Sequence, residues 1–308
     1  MKILVTGGTG MIGSAFKNIE TNYELILVGS KDYDLRWAHH AEAMIKKIKP
    51  SAIIHLAARV GGIKGNSDRV ADFFSENILI NTNVLNAAQR NKIPKALSLL
   101  STCVYPDNPV YPLTEQQIHD GEPHQSNFGY AYAKRMLDVH SRAIRKQYNL
   151  NYITAIPNNI YGPKDNFDLN DGHVIPSMIR KFYEAKINND KVILWGSGMP
   201  LREFSYSVDI AKALILLIEN YENKTPINIG TTRQISIKRV SKIIAKEIGF
   251  TGEILWDSTK PEGQFKKPSS NKKFIDMYPN FCYTELEDGL KETINWFKDT
   301  YPNLRGIK

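Results

Sequence analysis

Cysteine is scarce in this sequence. Of the 308 residues only Cys103 and Cys282 are cysteines, and they form neither a CxxC pair nor the dense, even spacing of a secreted disulfide framework. A reducing compartment suits such a chain, and we expect the protein to work in the cytoplasm. The seven histidines show no HxxxH spacing either, so the sequence predicts no metal site.

Long apolar runs are also missing. The apolar residues at the start, KILV, are interrupted by glycines before they reach the length of a signal-peptide core, and no later segment approaches the length of a membrane span. We therefore expect a protein that neither crosses nor inserts into a membrane. Its hydrophobic content of 42% is enough for the core of one large domain or two smaller ones.

The chain carries an excess of positive charge. Its 40 lysines and arginines outnumber 32 aspartates and glutamates, which gives a formal charge of +8. Such a balance favours an anionic partner, which is a nucleic acid, a phospholipid surface or a phosphorylated small molecule. The lysine-rich region between residues 260 and 273 lacks the interleaved aromatic residues of nucleic-acid binders, so we expect no nucleic-acid partner.

Strand and helix patterns alternate along most of the chain. The apolar strand segments are, in order, KILVT, ELILVG, SAIIHLAA, KALSLLST, NYITAIPN and PINIG. Helices are expected over 38–48, across NILINTNVLNAAQRN, across FGYAYAKRML and over 208–219. Strands that are apolar throughout are typical of a parallel sheet covered on both faces. The sequence therefore predicts an α/β protein with a doubly wound parallel (Rossmann) sheet.

Two stretches depart from this alternation. Residues 166–205 combine a Gly- and Asp-rich loop, an apolar helix and the strand KVILWG, and the residues after 231 combine two helices with the short strand EILWD. We predict two domains on this basis. The larger comprises 1–165 and 206–231, and the smaller is a C-terminal α/β lobe of 166–205 and 232–308 that closes over the sheet.

A glycine-rich turn follows the first strand. Gly7, Gly10 and Gly13 have GxxGxxG spacing between a strand and a helix, with Met11 and Ile12 inside the motif. Glycines at these places let the backbone turn tightly, approach a pyrophosphate and pack the helix close to the strand. This context predicts a dinucleotide site.

The residues after the second strand bear on which dinucleotide binds. An NAD site has an acid there to hold the ribose 2′-hydroxyl, but this chain has Ser30 and Lys31. A hydroxyl and an ammonium suit a 2′-phosphate, so we predict NADPH as the cofactor. Asp34 follows closely, and it could equally border the adenine.

Tyr130 and Lys134 are four residues apart on a predicted helix and therefore lie on one face of it. The lysine ammonium is expected to lower the phenol pKa from about 10 toward neutrality, which suits proton transfer during hydride chemistry at a carbonyl. Ser101, at the end of the preceding strand, is placed to share the carbonyl oxygen with Tyr130.

Together these motifs resemble the extended short-chain dehydrogenases/reductases of nucleotide-sugar metabolism. Within them the chain is most similar to the GDP-L-fucose synthase family, through the segments RVGGI, STCVYP, NIYGPKDNF, GHVIPS and WGSGMPLREF. The match runs from Met1 to about Gly263. It implies an NADPH-dependent enzyme that epimerises and reduces a GDP-4-keto-6-deoxymannose. It also implies a homodimer held by two helices of each subunit, one of them carrying Tyr130.

The resemblance implies an acid/base role for Cys103 and His173. A C4 ketone acidifies the hydrogens at C3 and C5, so a base on one face and an acid on the other can invert these carbons through an enolate. A thiol pKa near 8.5 is within reach of the working pH when the environment lowers it. In the alternative, Cys103 fills an apolar gap and His173 caps the next helix, which leaves a pure C4 reductase.

The remaining roles are also taken from the resemblance. Trp195 is expected to stack on the GDP-sugar and Arg202 to contact its diphosphate. The predicted catalytic residues are Ser101, Tyr130, Lys134, Cys103 and His173. The predicted cofactor-binding residues are Gly7, Gly10, Met11, Ile12, Gly13, Ser30, Lys31, Asp34, Leu56, Ala57, Lys134 and His173. The predicted substrate-binding residues are Asn159, Lys181, Trp195, Arg202 and Lys267.

Three departures from the family pattern leave the sugar open. The chain has Thr9 in the glycine loop and Arg180-Lys181 after HVIP, where relatives often carry arginine, and it reads PSS after Lys267. A lysine does not reproduce a bidentate arginine. The alternatives are a GDP-4-keto-sugar reductase, for a hexose or a heptose, without epimerase activity, or a non-catalytic NADP-binding module. A redox-neutral C4 epimerase stays open, whereas Thr102-Cys103 in place of an Asp-Glu pair disfavours a 4,6-dehydratase.

Overall fold

The structure, a computed structural model, describes residues 1–260 and 263–307. Residues 261, 262 and 308, which belong to the predicted smaller lobe, lie outside the described residues.

Strands follow the predicted apolar segments closely. In chain order they are β1 (Lys2–Thr6), β2 (Glu24–Val28), β3 (Ala52–His55), β4 (Lys95–Leu99), β5 (Asn151–Ile156), β6 (Asn159–Tyr161), β7 (Val192–Trp195), β8 (Leu201–Tyr206), β9 (Ile227–Asn228), β10 (Gln234–Ser236) and β11 (Ile254–Asp257). The strands β6, β8 and β10 were not predicted, because each is short or mixes polar with apolar residues.

Helices separate most of these strands. They are α1 (Met11–Ala15), α2 (Ala38–Ile48), α3 (Ile63–Asp68), α4 (Val70–Arg90), α5 (Phe128–Tyr148), α6 (Val174–Asn188), α7 (Ser207–Asn220), α8 (Ile237–Ile248), α9 (Lys272–Met277) and α10 (Leu286–Thr300). The bounds of α2 agree with the predicted 38–48, and those of α7 lie within one residue of the predicted 208–219.

The central sheet has six strands in the order β2-β1-β3-β4-β5-β9, and every neighbouring pair is parallel. This arrangement confirms the predicted doubly wound parallel sheet. The chain moves outward from β1 to β2 and then returns to place β3 on the other side of β1. Ligands of open α/β sheets bind at such a reversal, outside the carboxyl ends of the strands.

Both faces of this sheet are buried, which accounts for the unbroken apolar strands. In β1, Leu4 packs into one core cluster with residues of α2, α4 and α5, while Ile3 and Val5 pack into a second cluster with residues of α1 and α7. Alternate side chains of a strand point to opposite faces, so a strand covered on both sides must be apolar throughout.

A third core cluster holds the smaller lobe together. It contains residues of α6, α8, α10, β7 and β8. The lobe has two small sheets, one with the order β10-β8-β6 and one that pairs β11 with β7. The strand β6 pairs with β8 although it directly follows β5 of the central sheet. The predicted division into two domains remains a prediction.

The described helices include none that is both long and apolar enough to span a bilayer.

Candidate active site

A cavity of about 1050 Å³ lies at the carboxyl edge of the central sheet. It is bounded by the loops after β1 to β5 and, on the opposite side, by residues of the smaller lobe. Most of the predicted site residues line it: Gly7, Gly10, Met11, Ile12, Gly13, Ser30, Asp34, Leu56, Ala57, Ser101, Tyr130, Lys134, Asn159, His173, Lys181, Trp195 and Arg202. The fold therefore gathers residues from the whole length of the chain around one space.

The glycine loop is shaped so that side chains do not fit. Gly7 has a φ of +69°, and a Cβ placed on it would lie 2.8 Å from the backbone nitrogen of Ala57. A Cβ on Gly13 would overlap the Gly7 carbonyl oxygen and the Gly8 Cα. At Gly10 only the Gly7 oxygen is near, at 3.3 Å, and the cavity side is open. This bare backbone fits the close approach of a pyrophosphate.

After β2, the cationic side chain that lines the cavity is not the predicted Lys31. Ser30 and Asp34 line the cavity, but Lys31 has an exposed side chain and lies outside the lining. Arg36, which sequence reasoning missed, lines the cavity instead and donates two hydrogen bonds to Asp34, at 2.9 Å from Nε and 2.7 Å from Nη2. The Arg36 guanidinium lowers the pKa of the Asp34 carboxyl to about 2.

Tyr130, Lys134 and Ser101 meet where α5 packs against the end of β4. The Lys134 ammonium is buried, donates a hydrogen bond of 2.7 Å to the carbonyl oxygen of Leu99 and lies 5.8 Å from the centre of the Tyr130 ring. Ser101 and Tyr130 both face the cavity. The hydroxyls of Ser101 and Tyr130 and the ammonium of Lys134 therefore lie on one wall of the cavity.

The protonation states at this wall differ from the expectation. Burial raises the pKa of the Tyr130 phenol, and the nearby Cys103 thiol adds to this rise. Burial also lowers the pKa of the Lys134 ammonium to about 8. The prediction that lysine lowers the phenol pKa is thus not met, since desolvation disfavours the charged form of both groups. The phenol stays protonated at neutral pH, which is the state that a proton donor needs.

Cys103 lies directly behind this wall. It is 6% exposed, belongs to an apolar core cluster and is not part of the cavity lining. Its backbone N–H donates to the Ser101 hydroxyl oxygen at 3.4 Å. Burial raises the pKa of the thiol, opposite to the predicted direction, while the charges of Lys267 and Lys134 act to lower it.

Lys267 also lies outside the lining, close enough to Cys103 for their charges to interact. Burial lowers the pKa of its ammonium. Among the predicted substrate residues, Lys267 is therefore the one that sits beside the thiol rather than in the cavity wall.

His173 occupies the residue before the first turn of α6 and faces the cavity with an exposed side chain. Its imidazole makes no capping hydrogen bond to the helix. The alternative role of His173 as a helix cap therefore finds no support.

Four of the five predicted substrate residues line the cavity, and two of them, Lys181 and Trp195, lie together. The Trp195 side chain is 44% exposed, and the Lys181 ammonium lies 5.8 Å from its ring centre and donates to the Ile193 carbonyl oxygen at 2.9 Å. Burial lowers the pKa of this ammonium. Arg180, by contrast, points away from the cavity and forms an ion pair of 2.8 Å with Glu184.

Among the charged residues of the cavity that the sequence does not predict are Asp165 and Arg305. Asp165 lies within the NIYGPKDNF segment, so a signal was present but was not assigned to that residue. Arg305 lies beyond the last helix, where no sequence pattern marks it. Only the fold brings this terminal segment to the cavity.

The chain was compared with known proteins. Residues 3–230 match the model of the NAD dependent epimerase/dehydratase family. A GDP-L-fucose synthase of Dictyostelium discoideum is 42% identical over 310 residues, which cover 98% of this chain and 97% of that protein.

Two solved structures extend the likeness to the fold. A GDP-L-fucose synthetase from Naegleria fowleri bound to NADP superposes with a TM-score of 0.93 at 40% identity, covering 99% of this chain and 94% of the other. A GDP-6-OMe-4-keto-L-xylo-heptose reductase from C. jejuni gives a TM-score of 0.88 at 27% identity, covering 97% and 98% of the two chains.

Proposed function

Because the chain belongs to the NAD dependent epimerase/dehydratase family, we propose that it is an NADP-dependent oxidoreductase that reduces the C4 ketone of a GDP-linked 4-keto sugar. Epimerisation at C3, C5 or both precedes the reduction. One observation carries the proposal: a single cavity unites the glycine loop, the Ser101, Tyr130 and Lys134 wall, and a facing wall with an exposed tryptophan.

The glycine loop holds the cofactor in this proposal. Gly7, Gly10 and Gly13 leave room for the pyrophosphate, and Ser30 and Arg36 lie at the end of β2 where the adenosine ribose belongs. When bound, the reduced nicotinamide supplies the hydride for the sugar C4.

Tyr130 and Ser101 handle the oxygen of the ketone. The phenol, kept protonated by burial, donates its proton to the oxygen as C4 is reduced, and the Ser101 hydroxyl orients that oxygen. The Lys134 ammonium, held by the Leu99 carbonyl, stabilises the negative charge that Tyr130 acquires.

Cys103 and His173 act earlier, on the carbons next to the ketone. The Cys103 thiolate removes the proton from C3 or C5, the resulting enolate is stabilised at the Tyr130 side, and His173 returns a proton on the opposite face. The ammonium groups of Lys134 and Lys267 favour the thiolate against the effect of burial. The two residues lie on different elements, the turn after β4 and the start of α6.

A second candidate function is reduction without epimerisation. It is favoured by the position of Cys103 in a core cluster behind the cavity wall and by the likeness to the C. jejuni heptose reductase. A non-catalytic NADP-binding module is disfavoured, because such a module has no need of Ser101, Tyr130 and Lys134 on one wall.

Isotope exchange distinguishes the reductase that epimerises its substrate from the reductase that does not, and NADPH oxidation distinguishes both from the non-catalytic module. We incubate the wild-type protein with GDP-4-keto-6-deoxymannose in deuterated water without NADPH and expect deuterium at C3 and C5 by NMR. Cys103→Ser should lose this label and yet oxidise NADPH with a ketone that needs no epimerisation. If the wild-type protein introduces no deuterium, the activity is reduction without epimerisation. If it oxidises no NADPH with a panel of GDP-4-keto sugars, the non-catalytic NADP-binding module is favoured.

We further propose that the protein forms a homodimer through α4 and α5. These helices pack against each other and expose large apolar side chains to solvent: Phe74, Leu79, Phe128, Met136 and Val139. Apolar side chains grouped on adjacent helices are typical of a surface that another protein covers. Two copies of the pair would form a four-helix contact.

The charge variant Met136→Glu tests this contact. A carboxylate buried in an apolar interface is costly, so we expect the mass measured by light scattering to fall from that of a dimer toward that of a monomer. The control is Met277→Glu on α9, since the two methionines are 41% and 40% exposed. A dimer that persists in the α5 variant would place the interface elsewhere.

We also propose that the protein works in the cytoplasm. Cys103 is buried and Cys282 exposed, and both are free thiols, as expected for a reducing compartment.

A further inference from the structure

Two loops from distant parts of the chain meet beside His173. One runs from the end of β3 through the short helix α3 to Arg69, and the other, residues 168–172, comes directly before His173 and α6. Gly62 of the first loop and Asp171 of the second line the cavity. Neither loop has a role in the proposed reaction, although the path of the second one sets the position of His173.

An ion pair joins the two loops. The Nη2 of Arg69 donates hydrogen bonds of 2.7 Å to both carboxylate oxygens of Asp171. Each side chain is 39% exposed, so water screens the pair, and by itself it contributes little to the stability of the whole protein. One nitrogen shared between two oxygens nevertheless favours a single position of Asp171 relative to Arg69.

The backbones of the two loops also touch. The Gly62 N–H donates a hydrogen bond of 2.9 Å to the carbonyl oxygen of Asp171. A Cβ on Gly62 would lie 2.7 Å from the carbonyl oxygen of Gly172, so this close approach requires glycine. Asn66 holds the first loop in shape, because its Nδ2 donates hydrogen bonds of 2.8 Å and 3.0 Å to the carbonyl oxygens of Gly61 and Gly62. The ion pair thus adds to a contact between backbones that is already close.

The loop before α6 is tied internally by hydrogen bonds. The Oδ1 of Asp168 accepts one of 2.8 Å from each of the backbone nitrogens of Asn170 and Asp171. The Gly172 nitrogen donates one of 2.9 Å to the Asp168 carbonyl oxygen. A loop tied in this way is expected to move as a unit, so a shift of Asp171 would also shift His173 two residues later.

We propose that Arg69 and Asp171 are positioning residues, which hold the loop before α6 in place so that His173 faces the substrate. The inference rests on the proposed function, in which His173 returns a proton to a carbon next to the ketone. Neither Arg69 nor Asp171 takes part in the proton transfer. The rate of such a transfer depends steeply on the placement of the acid, and a displacement of about 1 Å can cost up to about 100-fold.

The test breaks the ion pair with Arg69→Gln and, separately, with Asp171→Asn. We measure the rate of deuterium wash-in at C3 and C5 of GDP-4-keto-6-deoxymannose without NADPH, and we expect it to be lower by roughly 3- to 30-fold in both variants. NADPH oxidation with a GDP-4-keto sugar that needs no epimerisation should stay close to the wild-type rate, because reduction does not use His173. A general loss of folded structure would lower both rates together.

The double variant shows whether the two side chains act through each other. Because each substitution breaks the same ion pair, Arg69→Gln combined with Asp171→Asn should have a wash-in rate no lower than either single variant. Arg69→Lys keeps the positive charge and should retain part of the wild-type rate. Losses that multiply in the double variant would contradict a joint role.

Gly62→Ala separates the loops without changing a charge. The φ of Gly62 is −66°, which alanine adopts readily, so the strain falls on the contact of the new Cβ with the Gly172 carbonyl oxygen. We expect the same selective loss of wash-in from this variant. A wash-in rate equal to that of the wild type would show that the close approach of the loops is not needed.

The matched control is Lys272→Gln on α9. The Nζ of Lys272 donates hydrogen bonds of 2.8 Å and 2.7 Å to the two carboxylate oxygens of Asp276, and neither residue lines the cavity. This ion pair has the same form as that of Arg69 with Asp171 but lies elsewhere. Its loss should change neither the wash-in rate nor NADPH oxidation.

Hydrogen exchange tests the contact without any substrate. By mass spectrometry, backbone amides in 168–173 should exchange faster in Arg69→Gln and in Asp171→Asn than in the wild type, and at the wild-type rate in Lys272→Gln. Equal exchange in all four proteins would overturn the inference, and so would wild-type wash-in rates in both single variants. Absence of wash-in with the wild type would instead overturn the epimerase half of the proposed function, and hydrogen exchange would still decide whether the ion pair holds the loop.

Discussion

NADPH oxidation by the Tyr130→Phe variant is expected to be slower by about 10²- to 10⁴-fold in kcat, the usual contribution of a positioned general acid. The phenol faces the cavity and burial keeps it protonated, so its loss leaves the ketone oxygen without a proton donor. The ring itself is retained, so the packing against Phe73, with ring centres 6.4 Å apart, should survive.

The Tyr130→Phe substitution should slow reduction without weakening cofactor binding. Cofactor affinity, measured by fluorescence titration, should stay within a few-fold of the wild type, since Tyr130 lies on α5 and the substitution leaves the glycine loop after β1 unchanged. The matched control is Tyr132→Phe on the same helix, because Tyr132 lies outside the cavity lining. Full turnover by Tyr130→Phe would show that Tyr130 is not the proton donor.

The Gly13→Ala variant should lose both stability and cofactor binding. An added Cβ would overlap backbone atoms of Gly7 and Gly8, and backbone moves less readily than the end of a flexible side chain. Overpacking of this kind costs about 3 kcal/mol. We expect a lower midpoint of thermal unfolding and a cofactor Kd too weak to saturate, because the displaced loop no longer fits the pyrophosphate.

Gly10→Ala is the matched control for this loss. Its Cβ would meet only the Gly7 oxygen at 3.3 Å, and its φ of −78° is open to any residue. This variant should keep most of its stability and lose cofactor affinity alone, since the methyl group enters the space open to the pyrophosphate. Equal unfolding midpoints for the two variants would contradict the packing argument.

Much of the fold was predictable from local pattern. The apolar strands, the loop with Gly7, Gly10 and Gly13, and the helix over 38–48 lie where the sequence predicts them, because each pattern reports an interaction among residues close in the chain. The resemblance to nucleotide-sugar enzymes is confirmed by the comparisons, as is the NADP cofactor. The roles of the individual site residues remain predictions.

Other features had no local signal. Strand β6 has three residues and is recognisable only through its partner β8, which follows some forty residues later. Both Arg36 and Lys31 are exposed after β2, but only Arg36 lines the cavity, and the path of that turn carries no sequence pattern that distinguishes them. Asp165 belongs to the NIYGPKDNF segment, but the lack of a partner for its Oδ2 among residues 1–260 and 263–307 is a property of the folded surroundings.

The sequence by itself determined the order along the chain of the six strands of the central sheet, the glycine loop, and the kinds of ionisable group that the chain supplies. Tertiary structure decided which of these groups meet and how they are protonated. The pKa values of Tyr130, Lys134 and Cys103 all moved as burial dictates, because desolvation depends on atoms that surround a group in space and not on its neighbours in the chain.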